Sequence, residues 1–462
     1  MPEYDFDLAV IGGGSGGFAA ARTGTAAGLK TVLVEGGREL GGLCILRGCM
    51  PTKALLWAAE LRHLTQRAAI WGLEPGANRF NWTAVQARKA EMIRDFAGYR
   101  EGQLTAGRFT LRRATARFTD SHTLALSDGG TIRARHFVVA TGSVVSPPPL
   151  PEIAAVGYIT SDEVIALEDL PRSIIVLGGG VVAVELAQLL ARFGVEVTLV
   201  QRSEHLLRDF DTDAAAVVEQ VFRREGIRVF TNTRLTSARR EGGQKVVSFE
   251  HAGTSTEVRA EQILLALGRS PNTSGLGLEQ AGVACAAGRI ITDAHMRTSA
   301  PHIYAAGDCT GPYEVVHLAI QQGEIAVHNL RRTDAARAMD YRLLLGVVFT
   351  DPQVAVVGLT EKAARAERLP FEAASYPFND HGKSLIMEAK DGFVKLLADP
   401  RTGEILGGAC AGPAAGELIH EVAVAMAARM TVRSFAAVPH YHPTLAEIWT
   451  YPAEELADRC RG

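Results

Sequence analysis

Cys44 and Cys49 stand in the segment GGLCILRGCMPTK, residues 41–53, with four residues between them. Two thiols at that spacing close a small ring as a disulfide. A thiol at the start of a helix also feels the partial positive charge there, which lowers its pKa and makes a nucleophilic thiolate. Cysteine metal sites usually add a second pair or histidines further on, and neither follows nearby. Two inert, buried cysteines fit the spacing alone just as well, because a free thiol packs as a small hydrophobe. The company favours redox chemistry: two glycines precede the first Cys, Gly48 precedes the second, and Pro51 opens a helix that carries Lys53. We expect a redox-active pair and no metal.

Thiol chemistry needs a proton shuttle. In PHYHPTLAEIW, residues 439–449, Pro443 suits the first position of a helix, and the turn brings His442 towards Glu447. An imidazole oriented by a carboxylate is a general acid/base. Thr444 and Glu447 also fit a capping box, and His440 or His442 as plain surface histidines fits the same stretch.

The elements that must position these groups are more distinctive. DLAVIGGGSGGFAAARTGTAAGLKTVLVE, residues 7–35, reads as strand, glycine turn, Ala-rich helix and a second strand ending in an acid. Gly12 permits the tight turn, Gly14 lets a pyrophosphate approach the backbone at the helix N-terminus, and Gly17 lets the helix lie close to the sheet. Glu35 is placed to accept from a ribose hydroxyl. The pattern recurs in IIVLGGGVVAVELAQLLARFGVEVTLV, residues 174–200, with Gly178, Gly180 and Ala183 at the three key positions. Gln201 stands where Glu35 stood, and Arg202 and Arg208 follow. An acid there repels a 2′-phosphate and arginines bind one, so the second site favours NADPH over NADH; two solvated surface arginines are the plain alternative.

A chain of 462 residues exceeds one hydrophobic core and splits into about three domains. The proline-rich SPPPLPE, residues 146–152, ends the first, and the strand in QILLALGRSPNT, which contains Gly268, closes the second near residue 274. TSAPHIYAAGDCTG, residues 298–311, then returns to the first domain and ends a short strand at Gly307 and Asp308. The expected domains are 1–150 with 275–342, then 151–274, then 343–462, the last alternating strands and helices without a glycine fingerprint. A net charge of −3 offers no field for nucleic acid or anionic membrane. The acidic opening MPEYDFDLAV is no secretory leader, and no run of 18 apolar residues exists to span a bilayer. We expect a cytoplasmic protein, a compartment where a bonded cysteine pair is catalytic rather than structural.

In order along the chain come the Gly12 fingerprint, the Cys44-to-Lys53 segment, the turn at Ala140, Thr141 and Gly142, the Gly178 fingerprint, and Gly307–Asp308 ahead of HPTLAE. This set resembles the FAD-dependent pyridine nucleotide-disulfide oxidoreductases, the group of dihydrolipoamide dehydrogenase, glutathione reductase and mercuric reductase. The resemblance implies an α/β fold of two Rossmann-like dinucleotide-binding domains with a C-terminal α+β dimerisation domain. It implies FAD at the first site, with Glu35 on the adenosine ribose and Asp308 on the ribityl chain. Thr141, Gly142 and Gly307 would line that site, and His317 would lie near the pyrimidine end of the flavin. It further implies a Lys53–Glu185 ion pair beside the flavin, and NADPH or NADH at the second site, which Gly268 would adjoin. In the implied homodimer, His442 and Glu447 serve the disulfide of the other subunit.

By the same resemblance, two electrons pass from NAD(P)H through FAD to the Cys44–Cys49 disulfide, with Cys49 nearer the flavin and Cys44 exchanging with a small disulfide or dithiol of the lipoamide kind. A metal-ion reductase of the mercuric type or a quinone reductase, using the same dithiol, is the alternative; a flavoprotein scaffold or redox sensor without turnover is a third. Leu43, Leu46 and Arg47 depart from the family's usual GGTC segment, Val181 replaces the Tyr of glutathione reductases, and Cys460 is a lone cysteine near the end.

Overall fold

The computed structural model describes residues 3–74, 76 and 79–460, so the outermost two residues of MPEYDFDLAV and of ADRCRG lie outside the described residues. The chain divides into two compact units, Met1–Thr52 with Ala84–Pro147 and Gly268–Met339, and Lys53–Thr83 with Pro148–Leu267 and Asp340–Gly462.

The first unit is built on a sheet whose parallel strands run in the order Thr110–Arg112, Thr31–Val34, Phe6–Ile11 and Thr131–Val139, with Ile303–Ala305 also parallel to the last. Leu8, Ala9 and Val10 are fully buried, as a parallel strand covered on both faces requires. Two antiparallel strands, Ala116–Phe118 and Thr123–Leu126, extend the same sheet. Helix Ser15–Ala26 packs on helix Val316–Arg331 at a crossing where no side chain fits. A Cβ added to Gly323 would lie 2.4 Å from the Gly16 carbonyl oxygen.

The second unit holds three sheets. Its parallel one runs Arg228–Phe230, Glu196–Val200, Ser173–Leu177 and Gln262–Leu265, backed by helix Val181–Arg192. An antiparallel meander covers Thr233–Glu241, Gln244–His251 and Thr254–Ala260. The third sheet is antiparallel throughout, in the order Leu345–Val348, Gln353–Gly358, Ile405–Gly412, Phe393–Ala398 and Glu372–Pro377. Helix Ala415–Ala427 and the buried Trp449 fill its core, and the indole N–H donates to the Leu418 carbonyl at 3.2 Å. Lys395, on the strand Phe393–Ala398, is buried among Asp211, Asp213 and Glu361 at 2.9, 2.7 and 3.1 Å. The architecture is α/β, with a parallel sheet in each unit and an antiparallel sheet near the C-terminus.

Two local expectations change. The C-terminal helix does not start at Pro443: a cis His442–Pro443 bond is followed by a 3₁₀ turn, Ala446–Trp449, and only then by helix Thr450–Arg459. The capping box of Thr444 and Glu447 is absent because the Glu447 carboxylate turns instead to His442. The Cys44 segment also contains a short helix of its own, Gly42–Leu46, ahead of helix Cys49–Arg67.

The second glycine loop offers a direct check on this packing. Gly178→Ala puts a Cβ 2.2 Å from the Ala266 carbonyl oxygen at φ +122°, and we expect it to cost about 2 kcal/mol. Gly180→Ala meets nothing within 4 Å, so the same urea titration followed by circular dichroism should move by less than about 0.5 kcal/mol.

Candidate active site

In the first unit the glycine loop is shaped by backbone contact. Gly12, at φ +102°, would place a Cβ 2.3 Å from the Ala140 carbonyl oxygen, and a Cβ on Gly17 would fall 1.8 Å from the Gly12 oxygen. Gly14, at the N-terminus of helix Ser15–Ala26, has open space where its side chain would be. Glu35 closes the loop: one carboxylate oxygen accepts from the Gly13 N–H and the other from the Gly37 N–H, both at 2.5 Å.

Opposite strand ends supply the remaining groups of this unit. Asp308 accepts from Ser143 Oγ at 2.7 Å, and Ser143 is itself clamped by Arg269, whose Nε donates to Oγ at 2.7 Å and whose guanidinium reaches the Ser143 carbonyl at 2.8 Å. The Gly307 N–H donates to the buried Gln322 Oε1 at 2.7 Å. The carbonyls of Thr141 and Gly142 accept from Asn272, while Thr141 Oγ1 is buried with no hydrogen-bond partner among the described residues. His317 lies exposed in the first turn of helix Val316–Arg331. Gly268 belongs to this unit, its carbonyl accepting from the Ser146 N–H at 3.1 Å. None of Ser143, Arg269 and Gln322 carries a local signal of its role, because their partners lie far off in sequence.

The cysteine segment packs on this loop. Gly41 and Gly42 have φ of +144° and +76°, and a Cβ on Gly42 would come within 2.8 Å of Gly14 Cα. The short helix carries Cys44, Gly48 returns the chain so closely that its Cβ would sit 3.3 Å from Cys44 Cα, and Cys49 opens the long helix. Both cysteines are half-buried. Leu46 packs across Gly41, Leu43 is exposed, and Arg47 pairs with Glu39 at 3.3 Å on the surface. Burial raises the Cys309 thiol to about 11 and pushes Cys410 up as well, so neither supplies a thiolate at neutral pH.

The second unit repeats the loop with different ends. Gly178 approaches the Ala266 carbonyl as Gly12 approaches Ala140, Gly180 faces open space, and the buried Ala183 stands where the first loop has Gly17. The buried Gln201 turns its Oε1 to the Arg202 N–H at 3.0 Å. Arg202 and Arg208 are exposed, and Arg208 lies 3.4 Å from Asp209. Further along helix Val181–Arg192, Glu185 is buried and meets Lys53 Nζ at 2.7 Å. Its other oxygen accepts from the Phe349 N–H at 2.9 Å, and Lys53 lies over the Phe349 ring at 4.7 Å. One and two turns on, Gln188 brackets the Asp351 backbone at 2.7 Å on each side, and Arg192 bridges Glu225 and Asp351 at 2.6 and 2.7 Å. This polar seam, with His63 3.8 Å from Glu225, has no sequence signature.

The C-terminal histidines separate clearly. His440 is held between Glu421 at 2.5 Å and the Val438 carbonyl at 2.9 Å. His442 Nδ1 lies 2.9 Å from Glu447 Oε2, the carboxylate accepting, and its side chain is 78% exposed. Its remaining ring nitrogen is thus on the open side, and Glu447 is buried behind it.

Residues 6–323 match the family model described as pyridine nucleotide-disulphide oxidoreductase, and residues 345–453 match that family's dimerisation domain. A mercuric reductase of Streptomyces lividans is 36% identical over 457 residues, covering 96% of this chain and 94% of the relative. A dihydrolipoyl dehydrogenase of Chlamydia trachomatis is 34% identical over 455 residues, covering 97% and 96%. Among solved structures, LpdA of Mycobacterium tuberculosis superposes with a TM-score of 0.87 at 30% identity over 97% of this chain and 99% of that one. The HOCl-induced flavoprotein disulfide reductase RclA of Escherichia coli, as its Cu(II) complex, gives 0.85 at 25% identity over 98% and 100%.

The Lys53–Glu185 pair yields a prediction of its own. Lys53→Met leaves the Glu185 carboxylate buried without its cation, and urea unfolding of the variant should show a loss of about 3 kcal/mol at pH 7. The double variant Lys53→Met/Glu185→Leu should recover most of it.

Proposed function

The chain belongs to the pyridine nucleotide-disulphide oxidoreductase family, and from that premise we propose that it reduces a small disulfide, or oxidises the matching dithiol, at Cys44 and Cys49. It is an FAD-dependent flavoprotein disulfide oxidoreductase that uses NAD(P)H, and it carries the family's dimerisation domain and forms a homodimer. No helix among the described residues is long and apolar enough to cross a membrane. We assign FAD to 1–150 with 275–342, NAD(P)H to 151–274 and dimerisation to 343–462, and we place the enzyme in the cytoplasm.

The residues present fit the flavin dinucleotide: Gly14 leaves room at a helix N-terminus, Thr141 Oγ1 is buried and awaits a partner, and Glu35 and Asp308 offer carboxylate oxygens at strand ends. FAD, when bound, supplies two-electron transfer between NAD(P)H and the disulfide. Gly12 and Gly17 bring strand, turn and helix close enough for that ligand's pyrophosphate to meet backbone N–H groups. Lys53, fixed by Glu185, contributes a positive charge one turn along the helix that Cys49 opens. His317 lines the same site, and Gly178, Gly180 and Ala183 hold the nicotinamide dinucleotide.

Single observations carry each half of the reading. For the redox half, it is the seating of the cysteine segment on the first glycine loop, Gly42 against Gly14. In the dithiol form, the Cys44 thiolate attacks a substrate sulfur, forming a mixed disulfide and releasing one thiolate, which takes a proton from His442. The Cys49 thiolate then attacks Cys44, the second substrate thiol leaves, and the Cys44–Cys49 bond is restored. Oxidation of a dithiol runs these steps in reverse. In the dimer, His442 and Glu447 of one chain serve the cysteines of the other. For the disulfide substrate over a metal ion, the carrying observation is the oriented His442–Glu447 pair, which a soft-metal reductase has no need of. The mercuric reductase relative, at 36% identity, supports metal-ion reduction by the same dithiol as the second reading.

Rapid-mixing assays with NADPH and NADH against a panel of small disulfides, Hg²⁺ and Cu²⁺ test both. Disulfide turnover should vanish in Cys44→Ser and fall about 100-fold in His442→Ala. Metal turnover that survives His442→Ala, with no disulfide turnover in the native enzyme, would put the second reading first. Arg202→Ala should raise KM for NADPH about tenfold and leave that for NADH within about twofold. Equal losses for both cofactors would remove the NADPH preference.

A further inference from the structure

Glu447 has a second neighbour, His381, and this histidine has no exposed surface at all. Its Nε2 lies 3.3 Å from Glu447 Oε1, and its Nδ1 lies 2.8 Å from Ser384 Oγ. The carboxylate therefore sits between a buried imidazole and a largely exposed one, with Ser384, also fully buried, behind the first. Helix Gly382–Ile386 starts immediately after His381 and holds Ser384 in place, with the Leu385 N–H donating to the His381 carbonyl at 3.0 Å.

We propose that His381 is a positioning residue: through Glu447 it fixes the ring orientation and the proton affinity of His442. The inference rests on the acid/base reading of His442 given above. Burial, opposed by the charge of Glu447 and reinforced by that of His442, holds the His381 pKa below its ordinary value, so the ring is neutral at pH 7. A neutral ring has one N–H. With the Ser384 hydroxyl donating to Nδ1, as we assign it, the single proton is on Nε2, which lies 3.3 Å from the Glu447 carboxylate without a well-aligned hydrogen bond to it. Glu447 is thus packed against the buried His381 ring on one side while its carboxylate faces His442 Nδ1 at 2.9 and 3.1 Å on the other, which leaves His442 Nε2 as the nitrogen that exchanges protons.

Of the other charged groups on the surrounding elements, Asp380, His440 and Glu388 are engaged elsewhere. Asp380 accepts from the Tyr376 hydroxyl at 3.0 Å, and His440 is paired with Glu421. Lys383 is on the same helix as Ser384, and Glu388 is ion-paired with Lys390 at 2.7 Å. A buried carboxylate that loses a polar ring 3.3 Å away is harder to keep ionised and freer to turn, so its support of a protonated His442 weakens.

The test is a ¹³C histidine titration of the flavin-loaded enzyme by NMR, with the His442 resonance assigned from His442→Asn. In His381→Phe we expect the proton affinity of His442 to fall about three- to tenfold, with the acid limb of the pH profile for disulfide turnover moving by the same factor. His381→Gln, which keeps an N–H, should restore most of the shift. Ser384→Ala, a mild change that frees the tautomer, should give a smaller shift in the same direction. An unchanged His442 titration in a folded His381→Phe overturns the proposal. If His381→Phe does not fold, an unchanged titration in Ser384→Ala overturns it instead. His442→Asn with undiminished disulfide turnover would defeat the acid/base reading, whereas the titration shift judges His381 on its own.

Discussion

Backbone against backbone, with no room for a side chain, is the contact on which the first unit depends. The Gly12 carbonyl lies under Gly17, the Ala140 carbonyl lies under Gly12, and Gly14 touches Gly42. Each approach is closer than a Cβ permits, so strand, helix and cysteine segment are registered to one another through main-chain atoms. The cysteines inherit that precision. A helix N-terminus and a pair of thiols are brought to one place without any side chain acting as a spacer.

The two glycine loops share this geometry and differ at their rims. Gly178 repeats the approach of Gly12, but Ala183 replaces the third glycine, and the group on the neighbouring strand end is an amide rather than a carboxylate. Glu35 spends its charge on two backbone N–H groups, whereas Gln201 offers a neutral oxygen to one. A neutral amide there carries no formal charge, and two exposed arginines, Arg202 and Arg208, follow it.

Much of this was legible in the sequence where the determinants are local. The turns at Gly12 and Gly178, the helices behind them and the encounter of His442 with Glu447 depend on residues a few positions apart, or on a period that sequence shows directly. The helix expected from Pro443 was not, because the Glu447 carboxylate that would have capped it is drawn to an imidazole. The seam of Glu185, Gln188 and Arg192 with Phe349, Asp351 and Glu225 was also invisible. Its helix reads as simply apolar, and the partners that neutralise its polar residues lie 33 or more positions away. His381 was missed for the same reason: nothing near it in sequence announces Glu447, 66 residues on.

The crossing of helices Ser15–Ala26 and Val316–Arg331 at Gly16 and Gly323 has a consequence for how the protein is made. The first helix leaves the ribosome about 300 residues before the one it packs against, and the strand Ile303–Ala305 that completes the sheet emerges just ahead of that partner. Until then the N-terminal sheet lacks one strand and a covering helix. Meanwhile the stretch between, including the parallel sheet from Ser173 to Leu265, is already synthesised. The first parallel sheet to begin is therefore not the first to finish, and its apolar strands remain incompletely covered through most of translation.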